Sequence, residues 1–165
     1  MNLIHLDKID STNNYAKNIL EKTSFSDFFK LDKTIIYADE QTNGRGRLNR
    51  EFFSPKNTGL YFSLIYIPKE KICDPAFITT TACVAVCKQL ENFYNNSIDC
   101  KIKWVNDIYL NNKKICGILT EGVFDSNSQK IGAFVIGIGI NICTENYPDE
   151  LKHKAGSISK DTLSE

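Results

Sequence analysis

Between positions 44 and 50 the chain reads Gly-Arg-Gly-Arg-Leu-Asn-Arg, two glycines and three arginines with no acid among them. Arginine stays charged at any working pH and grips carboxylates and phosphates with a planar fork. Glycine lets the backbone fold closely over whatever the arginines hold. Gly44, Arg45, Gly46, Arg47 and Arg50 therefore suit an anion that carries a carboxylate, a phosphate or both. A basic, solvated turn explains the same residues on its own terms. What decides between the two is the company this loop keeps.

Four other stretches carry chemistry. Asp10-Ser11-Thr12-Asn13 offers hydroxyls and an amide where a helix is expected to begin, either as its cap or as donors and acceptors for a polar ligand. Lys103-Trp104-Val105-Asn106-Asp107 ends a strand in polar groups, with Asp107 open to a role as magnesium ligand or as a turn cap. Lys113 and Lys114 lead into Gly117 on an apolar run. Gly137 and Gly139, two apart, clear one face of a strand for close packing or for a flat ligand. Asn141 follows with an amide able to read a base edge.

The elements that must position these groups follow from periodicity. Alternation predicts strands over 3–9, 34–37, 60–67, 100–107 and 130–142, and a hairpin joining 108–110 to 115–123 through Asn111-Asn112. Helical spacing predicts one helix ending near Lys22 and a longer one over 75–94, with Ile78, Ala82, Ala85, Val86, Leu90 and Phe93 as its apolar stripe. Phe25, Phe28 and Phe29 sit in an expected loop, covering core edges. Residues 125–129 read as a polar turn.

Composition bounds the function. The 165 residues carry 20 basic and 20 acidic side chains, with a pI near 6.7. That balance gives no general reason to expect nucleic acid or an anionic membrane as a partner. No apolar run approaches a membrane span, and the first residues lack the form of a signal peptide, so a cytoplasmic chain of one domain is expected. Cys73, Cys83, Cys87, Cys100, Cys116 and Cys143 form no C-x-x-C pair. They read as small buried hydrophobes rather than as a disulfide or metal framework.

Taken in order, Asp10-Ser-Thr-Asn13, Glu40-Gln-Thr-Asn-Gly-Arg-Gly-Arg47 with Arg50, Lys103-Trp-Val-Asn-Asp107, Lys113-Lys-Ile-Cys-Gly-Ile-Leu-Thr-Glu121 and Gly137-Ile-Gly-Ile-Asn141 resemble the catalytic domain of biotin–protein ligases. The resemblance runs from Leu3 to about Ile158. It implies an α+β fold, a mixed and mainly antiparallel sheet with helices on one side, as in class II aminoacyl-tRNA synthetases. It also implies the reaction: biotin and ATP give biotinyl-5′-adenylate, and a lysine of a biotin carboxyl carrier protein then takes the biotinyl group.

The resemblance assigns roles residue by residue. Ser11, Thr12, Asn13, Gln41, Gly44, Arg45, Gly46, Arg47, Lys114 and Gly117 would bind biotin. Arg47, Arg50, Phe52, Asn106, Gly137, Gly139 and Asn141 would bind the nucleotide, the glycines giving the base room. Arg45, Arg47, Lys103 and Lys114 would carry the catalysis, and Asp107 would help hold magnesium.

Phe52 stands where many relatives have tryptophan, and Val105 where most have proline. The resemblance leads one to expect a C-terminally short catalytic domain with neither an N-terminal DNA-binding domain nor a C-terminal β-barrel, and it leaves homodimerisation open. Two other readings stay alongside the ligase. One is a module that binds biotin or the adenylate without turnover. The other is a lipoate or octanoate ligase on the same fold, against which Gln41 and the glycine–arginine loop argue.

Overall fold

The run Ile131–Asn141 (β7) is buried along almost its whole length, which requires a central strand covered on both faces. The computed structural model, which describes residues 2–69, 74–124 and 130–161, puts it there. Six further strands, Leu3–Leu6 (β1), Ile35–Ala38 (β2), Gly59–Tyr66 (β3), Lys101–Lys103 (β4), Asp107–Leu110 (β5) and Lys113–Phe124 (β6), join it in one sheet ordered β1-β2-β3-β7-β6-β5-β4. Only the β1–β2 pair is parallel. The expected mixed, mainly antiparallel sheet is therefore present.

Strand alternation divides the core into two. Phe134, Ile136, Ile138 and Ile140 point to one face and pack with Ile78, Cys83 and Cys87 of helix α2, Pro75–Phe93. Ala133 and Val135 point to the other and pack with Ala16 and Leu20 of helix α1, Thr12–Glu21. The expectation of helices on one side is thus corrected, since α1 and α2 lie on opposite faces. The reason is that nearly every residue of β7 is apolar, so neither face can be left to water. A last short helix, α3, spans Ile158–Asp161.

Two local expectations also change. The apolar stripe of α2 keeps Ile78, Ala82, Val86 and Leu90 against the core and adds Cys83 and Cys87, whereas Ala85 is exposed and Phe93 is 78% exposed. Cysteine packs as a small hydrophobe there, and burial pushes the Cys83 thiol up to about 11. Residues Phe25–Leu31 form a 3-10 helix rather than a loop, and only Phe28 of its aromatics is buried. Cys83, Cys87, Cys100 and Cys116 are buried free thiols and Cys143 is an exposed one. Cys73 and the predicted turn at 125–129 fall outside the described residues.

The β5–β6 hairpin turns on Asn111 and Asn112 with φ of 48° and 61°, the left-handed conformation that a two-residue turn between twisted strands needs and that asparagine tolerates. Its register pairs Asp107 with Gly117, and β6 in turn pairs Gly117 with Gly139. Among the described residues no helix is long and apolar enough to cross a membrane.

Phe134 is fully buried, whereas Phe124 is 58% exposed. Phe134→Ala should therefore cost about 3–5 kcal/mol in a denaturant titration, and Phe124→Ala no more than about 0.5 kcal/mol.

Candidate functional site

On the α1 face, where β6 and β7 run beyond the cover of the helix, three glycines adjoin. Gly117 and Gly139 are cross-strand partners and Gly137 lies two residues along β7. Without side chains they form a flat floor. A Cβ on Gly139 would meet the Phe52 ring at 2.4 Å, one on Gly137 would meet Asn13 Oδ1 at 2.1 Å, and one on Gly117 would meet both Phe52 and Lys114 at 3.1 Å. Phe52 and Asn13 thus lie directly on the floor. The pocket bounded by Ser11, Thr12, Gln41, Arg45 and Phe52 keeps only about 20 Å³ of free space, room for little more than one water.

One wall of this pocket is a line of hydrogen bonds. Gln41 Oε1 accepts from the Thr12 backbone N–H (2.9 Å) and faces the Thr12 hydroxyl (3.1 Å), while Gln41 Nε2 donates to Ser54 Oγ (2.9 Å). Ser63 Oγ lies 2.8 Å from Thr12 Oγ1 and 2.6 Å from Asn13 Oδ1. Asn13 Nδ2 donates to Glu121 Oε2 at 2.9 Å. Ser11, Thr12 and Asn13 are almost wholly buried. Ser11 occupies the N-cap position of α1, where its side chain makes no capping bond, and it lines the pocket. A wall of hydroxyls and amides supplies donors and acceptors together.

Past Phe52 the floor opens into a cleft of about 310 Å³, lined by Arg45, Arg47, Arg50, Asn106, Asp107, Lys114 and Lys154 among others. The arginines reach it because the loop is tied back on itself: Phe52 N–H donates to Gly44 O (2.8 Å) and Gly46 N–H to Arg50 O (2.7 Å). Gly44 is needed there, since a Cβ would lie 2.3 Å from Phe52 O. Arg47 Nη1 donates to Asn106 Oδ1 at 3.3 Å. Lys114 Nζ pairs with Asp107 Oδ1 at 2.7 Å and stands 5.9 Å above the Phe52 ring. The cleft thus gathers three arginines and two lysines against the acids Glu51 and Asp107.

The structure brings together most of the residues singled out by sequence, but not all. Gly137 and Gly139 lie under Asn13 and Phe52 in the pocket with Ser11, Thr12 and Gln41. Asn141 is buried and its Nδ2 donates to Gly156 O (3.1 Å), leaving Oδ1 without a partner. Lys103 is exposed on the edge strand with Nζ 5.4 Å from the Tyr109 ring, and it lines neither the pocket nor the cleft.

Asp107, the residue expected to help hold magnesium, lies in the cleft beside Lys114. The Lys114 ammonium occupies its Oδ1, and among the described residues the one group of three metal-ligating side chains close enough to share an ion is His5, Asp7 and Asp39. Magnesium is commonly carried by nucleotide phosphates with one or two protein carboxylates.

Two residues of the site were not assigned a role from the sequence. Lys154 reaches the cleft from a segment that read only as polar chain. Glu121 shares the floor's face of β6 with Gly117, because residues two and four apart on a strand point the same way. That alternation was the available signal. Burial alone would raise the Glu121 pKa, but Lys17, Asn13 and Arg45 together hold it below the usual carboxylate range.

Residues 6–141 match the family described as the Biotin/lipoate A/B protein ligase family, and the chain belongs to that family. Within it, the chain is similar to proteins named for biotin. It is 36% identical over 160 residues to the bifunctional ligase/repressor BirA of Bacillus subtilis, a match covering 96% of this chain and 46% of that protein. It is 30% identical over 137 residues to a biotin–[acetyl-CoA-carboxylase] ligase of Paracoccus denitrificans, covering 83% and 53% of the two. A biotin protein ligase from Aquifex aeolicus, solved in complex with biotin and ATP, superposes with a TM-score of 0.78 at 33% identity, over 98% of this chain and 61% of that one. The chain thus spans about half the length of the curated relatives it matches.

Because the folded pKa of Glu121 is depressed, its ionised form is favoured in the native state. Its contribution is complete above the ordinary glutamate range and is lost as pH falls through the lower folded value. Glu121→Gln should therefore cost about 1–3 kcal/mol at neutral pH, and the difference from the unsubstituted protein should vanish in acid unfolding curves taken well below that range.

Proposed function

We propose that this chain is a single biotin-activating and biotin-transferring domain, a biotin–protein ligase catalytic unit acting in the cytoplasm on a biotin carboxyl carrier protein. The observation that carries the proposal is the glycine floor with a wall of hydroxyls and amides at one end and an arginine–lysine cleft at the other. A flat ureido ring needs both donors and acceptors, and a carboxylate tail needs a cation. Ser11, Thr12, Asn13 and Gln41 would meet the ring. Phe52 would leave the floor to admit it.

In the first step a biotin carboxylate oxygen attacks the α-phosphorus of ATP. The bond from that phosphorus to the bridging oxygen breaks and pyrophosphate leaves with the electron pair. In the second, the neutral amine of the carrier lysine attacks the acyl carbon, AMP leaves, and the nitrogen loses a proton. Two anions must meet in the first step, so the protein's part is positioning and charge stabilisation. Arg45 would hold the carboxylate. Arg47, Arg50 and Lys154 would face the phosphates, and Lys114 stands at the seam where the two substrates join. The adenylate is a reactive anhydride, so loop 44–50 would also close over it against water.

Incubation with biotin, magnesium and ATP labelled on the α-phosphate tests this. Labelled adenylate is expected with biotin and not with octanoate or lipoate, and Lys114→Met should slow its formation by about 10²–10³-fold. Adenylate from the fatty acid instead, or from none of the three, would overturn the proposal.

A further inference from the structure

Arg45 reaches the pocket from a loop, and a loop by itself does not fix a five-donor guanidinium to the accuracy that recognition of a carboxylate needs. Its surroundings do. Arg45 Nη1 donates to Asn14 Oδ1 at 3.0 Å and lies 3.4 Å from Glu121 Oε1. Both contacts fall on the same nitrogen. Among the described residues nothing engages Nε or Nη2, and these form the side-on edge of the fork that takes a carboxylate through two parallel bonds.

Glu121 is itself held from two other directions. Lys17 Nζ on α1 donates to its Oε1 at 2.9 Å, and Asn13 Nδ2 donates to its Oε2 at 2.9 Å. Its side chain is 19% exposed and that of Lys17 23%, so this charge is less screened than a surface pair. The carboxylate is pinned between a helix and a central strand, both rigid, and Arg45 leans on it. The Lys17 charge offsets part of the Glu121 charge, which keeps Arg45 from being captured outright and leaves it net attraction for a second anion.

Resting on the ligase reading above, we propose that Glu121, assisted by Asn14, is a positioning residue that holds Arg45 by Nη1 and presents its Nε/Nη2 edge to the carboxylate of the substrate. Glu121 does not touch the substrate. It sets the direction from which the substrate's acid group is recognised, and so selects a free carboxylate over an uncharged derivative of the same ring.

The test compares two ligands by calorimetry, biotin and biotinamide, which keeps the ring and chain but lacks the charge. Glu121→Gln keeps the size of the side chain and removes the charge that orients Arg45. Biotin affinity should fall about tenfold while biotinamide affinity changes less than about twofold. Asn14→Ala, which leaves the buried network intact, should show the same selective loss to a smaller degree and guards against a folding defect in the first variant. Equal losses for both ligands would reduce Glu121 to a structural residue and overturn the proposal, as would no loss for either. Failure of the unsubstituted protein to bind either ligand would instead sink the ligase reading on which the inference rests.

Discussion

Everything at the site depends on a steric constraint at the centre of the sheet, where three neighbouring positions on β6 and β7 lack a Cβ. A side chain at Gly139 would collide with Phe52, and one at Gly137 with Asn13. Because these positions are flat, a helix start and a loop from opposite directions both come down onto the strands. Ser11 to Asn13 arrive from α1, and Phe52 arrives from the loop that carries the arginines. The floor therefore decides where the polar wall and the cationic cleft meet.

The two faces of the sheet do different work. Behind it, α2 packs on Phe134, Ile136 and Ile138 and supplies rigidity without polar chemistry. In front, α1 covers only part of the surface, packing through Ala16 and Leu20. The sheet beside it carries Glu121, Asp107 and Lys114, and Glu121 is partnered by Asn13 and Lys17 of α1 while Asp107 pairs with Lys114. Buried and half-buried charges are tolerated when they are paired and hydrogen-bonded, and here each pairing also aims a side chain at the pocket or the cleft.

Much of this was legible in the sequence. The alternation of β7, the Asn111-Asn112 turn and the glycine–arginine loop each pointed to what the structure contains. Periodicity failed where a residue type plays an unusual part. Cysteines took core positions in α2 that the apolar stripe assigned to Ala85 and Phe93, and helices covered both faces because β7 carries apolar residues on both. The grouping of Ser11, Thr12, Gln41, Arg45, Lys114 and Gly117 was what the resemblance to biotin–protein ligases implied. The pairing of Lys114 with Asp107, the burial of Asn141 against Gly156 and the meeting of Glu121 with Arg45 depend on distances between chain segments, which no spacing along the sequence encodes.

The proposed biotin site is the glycine floor on which Phe52 rests. A crystal structure of the protein grown with biotin tests it most directly. The ring system is expected to lie on Gly137 and Gly139, with the Phe52 ring displaced from Gly139 and the Thr12–Gln41 wall in contact with the ureido group. Biotin bound elsewhere with Phe52 still seated on Gly139 would contradict it.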